Sequence, residues 1–83
     1  MKDKYDKSVH STQNKALTAF LKRKRQEAGL TMQVVGDMLG VAHSLVGKIE
    51  NQQRRLDVVE LVRYCKVIGV DPHEALKVAM ELS

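Results

Sequence analysis

The stretch Thr31-Met-Gln-Val-Val35-Gly-Asp-Met-Leu-Gly40-Val-Ala-His-Ser-Leu45-Val-Gly-Lys-Ile-Glu50 decides the fold. Val35, Met38 and Leu39 recur at helical spacing and give a short helix its buried face. Thr31 stands ahead of that run as an N-cap, and Gly40 stops it. Apolar spacing then resumes at once, over about residues 42–50. Val46 and Ile49 point inward, with Val41 just ahead of them, and the other face carries His43, Ser44, Gly47 and Lys48. Two helices this short and this close, joined by a glycine turn, cross at a steep angle and leave the second one projecting. A glycine inside a helix costs about 1 kcal/mol against alanine, so Gly47 requires a physical cause.

The pattern extends in both directions. Upstream, Ala16, Leu17, Phe20, Leu21 and Ala28 form an apolar stripe over residues 12–28, with Thr12 as its N-cap and Gly29 as its C′ residue. Downstream, residues 51–55 make a polar, basic loop. Asp57 then caps a helix whose inner face reads Val58, Leu61, Cys65 and Ile68, and Gly69 ends it. Asp71 followed by Pro72 starts a last helix carrying Ala75, Leu76, Val78, Ala79, Met80 and Leu82. No segment alternates as a strand does. The expected architecture is all-α: five short helices in one compact domain over residues 12–83, preceded by a flexible charged arm over residues 1–11. The last helix is apolar on more than one side and needs a cover. A chain of 83 residues has little left to supply it, which points to a homodimer interface or, alternatively, to a helix that pads the core with a frayed tail.

Composition narrows the function classes. One cysteine, Cys65, excludes a disulfide scaffold and fits a reducing compartment. No apolar run reaches the roughly 18 residues of a membrane span, and residues 1–13 lack a signal-peptide core, so a cytoplasmic location is expected. No His or Cys pair has metal-ligand spacing, and no phosphate loop, carboxylate pair or nucleophile–base pair occurs. The chain is therefore read as neither an enzyme nor a carrier of cofactor or metal. Three aromatics (Tyr5, Phe20, Tyr64) leave little for stacking on single strands. Charge is uneven: residues 14–55 carry +5 and residues 56–83 carry −2, within a net +4. A basic half suits a polyanion such as nucleic acid.

The ordered set Arg25-Gln-Glu-Ala-Gly-Leu-Thr31, Val35, Leu39-Gly-Val41, Val46-Gly-Lys-Ile-Glu50-Asn51, Leu61, Cys65 and Ile68-Gly-Val70 resembles the lambda-repressor-like helix-turn-helix domain of Cro and XRE-type regulators. The resemblance spans about residues 15–77. It implies double-stranded DNA as partner, with a palindromic operator bound by a dimer. It implies phosphate contacts from Thr31 and Gln33 at the start of the second helix, and from Asn51, Gln53, Arg54 and Arg55 in the loop after the third. It implies base contacts from His43, Ser44, Gly47 and Lys48, with Ala42 and Leu45 at the margins. It also implies a structural ion pair between Arg25 and Glu50, beneath the surface. Lys22, Arg23 and Lys24 either flank the DNA or solvate the first helix.

The chain departs from the family at four places. Met32 stands where glutamine is frequent, Ala42 where serine or threonine caps the third helix, Gly36 where alanine is favoured, and Gly47 where a reader could project. These departures keep a second class open, a protein-interaction module such as a toxin-binding antitoxin or a coactivator adaptor. The basic group Lys48, Arg54 and Arg55 favours the DNA regulator, acting as a repressor, an autoregulator or a restriction–modification controller.

Overall fold

The computed structural model describes residues 11–81. It contains five helices: α1 (Thr12–Glu27), α2 (Met32–Leu39), α3 (His43–Glu50), α4 (Val58–Ile68) and α5 (Pro72–Met80). Residues 1–10 of the expected arm, and Leu82 of the expected apolar face, lie outside the described residues.

Each helix starts for a local reason. Ser11, not Thr12, caps α1: its hydroxyl accepts from the Asn14 N–H at 3.1 Å, and the residue is buried. The helical domain therefore begins at a residue expected in the arm. Thr31 accepts from the Val34 N–H, and Asp57 and Glu60 form a reciprocal capping box on α4. Asp71 caps α5 ahead of Pro72. Ala42 precedes α3 with no side-chain cap.

The core gathers Phe20 and Leu21 from α1, Val35 from α2, Val46 from α3, Leu61, Tyr64, Cys65 and Ile68 from α4, and Ala75 from α5. Helix α2 packs chiefly on α3, and α1 on α5. Burial of Cys65 pushes its thiol up to about 11, as expected of a core residue rather than a reactive one. Several assignments change at helix ends. Ala28 is exposed as the C-cap of α1, and Val58, the first residue of α4, is 71% exposed. Met38 is 58% exposed, so α2 buries only Val35 and Gly36, with Leu39 half-buried. Tyr64, absent from the expected stripe, is fully buried.

The crossing of α2 and α3 explains three of the departures. A Cβ on Gly36 would lie 2.9 Å from the Val41 carbonyl oxygen and 3.1 Å from the Cα of His43. Glycine there lets the turn and the start of α3 seat closely on α2. A Cβ on Gly47 would meet the Met32 sulfur at 3.4 Å. Met32 and Gly47 are thus one feature: the thioether lies over the bare backbone of α3 and packs against the core.

Candidate nucleic-acid interface

Successive residues of an α-helix are rotated by about 100°, so His43, Ser44, Gly47 and Lys48 share one side of α3. Val46, Ile49 and Glu50 share the opposite side and are buried. His43, Ser44 and Lys48 are exposed, and Leu45 is half-buried at the margin. Gly47 lies on the same side but is half-buried against Met32, so it contributes backbone and clearance. No ion pair engages Lys48 among the described residues, which leaves its ammonium available to an external acceptor.

Helix starts supply backbone donors beside this face. The first-turn N–H groups of Met32 and Gln33 in α2 have no carbonyl partner within their helix, and Thr31 satisfies Val34 only. Thr31 and Gln33 are exposed. Helix α3 lacks a side-chain cap; the Leu45 N–H donates to the Ala42 carbonyl at 3.0 Å, and the N–H groups of His43 and Ser44 precede the first carbonyl of the helix that could take them. The partial positive charge of such a terminus suits a phosphate.

The loop after α3 divides its residues between two tasks. Asn51, Gln53 and Arg55 are exposed. Arg54 turns back onto the chain. Its Nη1 donates to Glu60 Oε1 at 2.9 Å and to the Arg55 carbonyl at 3.1 Å, and its Nη2 donates to Glu60 Oε2 at 2.8 Å. The expected outward phosphate contact from Arg54 thus competes with a bidentate internal pair. The Arg54 hydrogen bonds, helped by the Asp57 N–H, hold the Glu60 carboxyl below its ordinary range.

Beneath the face lies a buried network. Arg25 Nε donates to Glu50 Oε2 at 2.7 Å, Arg25 Nη2 to Glu50 Oε1 at 3.0 Å, and Arg25 Nη1 to the Leu30 carbonyl at 2.7 Å. The Tyr64 hydroxyl also donates to Glu50 Oε2. Burial, then the bond to Glu50, pushes the Tyr64 hydroxyl well above its ordinary value, so it remains a donor. No buried side-chain polar atom among the described residues is left unpaired. The network ties α1, α3 and α4 together and orients the exposed side of α3 from behind.

Sequence reasoning passed over Tyr64 and Gln52. Tyr64 stands three residues after Leu61 and four before Ile68, so helical spacing held a signal for it. Gln52 carried none. Arg23 and Lys24, just ahead of Arg25 on α1, instead approach Glu27 at 3.8 and 3.5 Å and flank the Phe20 ring. Among the described residues no cluster of His, Cys, Asp or Glu could hold a metal, and no helix is long and apolar enough to cross a membrane.

Comparison with known proteins agrees with this geometry. A helix-turn-helix family model matches residues 21–74. An XRE-family like protein from Pseudomonas syringae pv. tomato str. DC3000 is 36% identical, with 90% of this chain and 92% of that chain covered and a TM-score of 0.81. The clp gene regulator ClgR from C. glutamicum has a TM-score of 0.76 over 88% of this chain and 95% of that one; at 19% identity it speaks for the fold alone. No curated protein matches the chain significantly.

Proposed function

The chain belongs to the lambda-repressor-like helix-turn-helix family of XRE-type DNA-binding transcription regulators, and on that premise we propose that it binds a specific duplex operator as a homodimer, with α3 in the major groove. The observation that carries this reading is the exposed side of α3, where His43, Ser44 and Lys48 have no side-chain partner among the described residues while the opposite side is anchored in the core. Lysine donates to guanine O6 and N7, and a serine hydroxyl pairs with several base edges. Thr31 and the Gln33 amide hold one phosphate, and Asn51, Gln53 and Arg55 hold another. These contacts position the protein, and those of α3 specify the sequence. Arg54 supports the loop from behind.

The dimer is supported by uncovered apolar side chains. Leu76 and Met80 on α5 are 42% and 70% exposed, and Val58 and Val59 at the start of α4 are 71% and 65% exposed. Leu56 and Ala79 line one shallow cleft, so the start of α4 lies beside the end of α5. A dimer on a palindromic operator requires two α3 helices about 34 Å apart, one turn of duplex. On this reading, occupancy of the operator by α3 is the regulatory act, as it is for a repressor or autoregulator.

Selection from a randomised duplex pool, sequenced at two salt concentrations, tests the proposal. The expected result is an enriched palindrome at both. Salt-sensitive binding without any motif would leave only the phosphate attraction and would refute sequence-specific recognition.

A further inference from the structure

We propose that Gln52 is a positioning residue for the DNA-facing loop: its side chain straps the turn after α3 to α1. The inference rests on the DNA-binding reading above. Among the described residues four have a left-handed backbone. Three are glycines, Gly29, Gly40 and Gly69, at φ 74°, 75° and 78°, and the fourth is Gln52 at φ 59°. Gln52 sits at the C′ position of α3. Its N–H donates to the Ile49 carbonyl at 3.2 Å, and the next N–H, of Gln53, donates to the Lys48 carbonyl at 2.7 Å. Those two bonds define a Schellman ending, whose C′ residue is usually glycine because a Cβ is disfavoured there.

What glycine lacks is the amide. Gln52 Nε2 donates to Thr18 Oγ1 at 3.2 Å and to the Glu50 carbonyl at 3.3 Å. Thr18 is 1% exposed in the middle of α1, and its hydroxyl donates in turn to the Asn14 carbonyl at 2.9 Å. The hydroxyl oxygen is thereby a fixed acceptor, 34 residues away in sequence. The Gln52 strap holds the near end of the loop to α1, and the Arg54–Glu60 pair holds the far end to α4. Between and beside these two ties lie Asn51, Gln53 and Arg55. A loop ordered before binding loses less conformational freedom when it meets the phosphates. The unfavourable φ at Gln52 is retained because the strap acts on binding.

Gln52→Gly removes the strap and relieves the backbone; Thr18→Val removes the acceptor and leaves Gln52 in place. In Gln52→Gly, relief and lost bonds offset, so Tm stays within about 3 °C of the parent. Hydrogen exchange at the Gln53 and Arg54 amides, read by NMR on free protein, is expected to accelerate in both variants. Affinity for the selected operator is expected to fall about 3- to 10-fold, evenly across operator variants, because no base contact is lost. Parent-like exchange in both variants overturns the strap. Faster exchange with parent-like affinity overturns its role in binding. A parent protein that enriches no sequence refutes the DNA reading instead, and the exchange measurement still decides the strap.

Discussion

The Arg25–Glu50 and Arg54–Glu60 pairs lie on either side of the loop that follows α3, and both are two-pronged guanidinium–carboxylate forks. Their surroundings differ. In the first, the side chains are 8% and 0% exposed; in the second, 40% and 30%. The buried fork is completed by Tyr64 and the Leu30 carbonyl, so every prong has a partner. The surface fork shares Glu60 with the α4 capping box and is open to salt. Equal geometry therefore gives unequal consequences. Burial makes the loss of one partner severe, whereas water replaces a lost partner at the surface.

Glu50→Gln sharpens the contrast most. It leaves the Arg25 charge buried without a counter-charge, which costs about 3–5 kcal/mol. For a domain of this size that removes most of the folding stability. Urea unfolding is expected to show a midpoint shifted far down, or no folded baseline; a shift under about 1 kcal/mol would erase the distinction between the forks. Tyr64→Phe comes next. It deletes one hydrogen bond to a charged acceptor and keeps the ring, for a loss of about 1–3 kcal/mol at unchanged m-value.

Alkaline pH probes the same buried region. The folded chain keeps the Cys65 proton up to about 11, whereas its ordinary value is 9.0. Between those values the unfolded state binds fewer protons, so stability falls as pH rises from about 9 to about 11. Tyr64, also pushed up, extends the decline above its ordinary 10.0. Cys65→Ala is expected to flatten the first part of that slope in thermal melts.

The surface fork gives the smallest effect. Glu60 is held below its ordinary 4.5, so its contribution is present above that pH and disappears as pH falls through the lowered value. Glu60→Gln is expected to change Tm slightly near pH 7, less in high salt, and to converge with the parent only as pH falls from 4.5 through the lowered value. A larger loss than that of Tyr64→Phe would invert the comparison.

The helices were legible because their signals are local. Gly29, Gly40 and Gly69 mark ends, Thr31, Asp57 and Asp71 mark starts, and apolar residues recur at helical spacing. The errors fall where burial depends on a distant neighbour. Val58 continues the spacing of its helix yet stays exposed, and Met38 shares the fate of an uncovered stripe edge. Tyr64 was hidden by its residue type, since a hydroxyl becomes a core group only once Glu50 is placed beside it. In the loop, charge suggested that Arg54 and Arg55 act alike. The partner that separates them, Glu60, stands six residues from Arg54, and spacing alone does not say which arginine it takes. Gln52 is illegible without a φ angle and a view of Thr18.

The division of labour on the exposed side is tested most directly by comparing Lys48→Ala with Arg55→Ala. Binding of each to the selected operator and to its single-base variants would be measured across a salt series. Lys48→Ala is expected to cost about 1–3 kcal/mol on the operator and to abolish discrimination at one base pair. Arg55→Ala is expected to weaken all sequences alike and to reduce the salt slope by about one. Uniform losses for both variants, with the base preference intact, would contradict the assignment of α3 as the helix that reads the sequence.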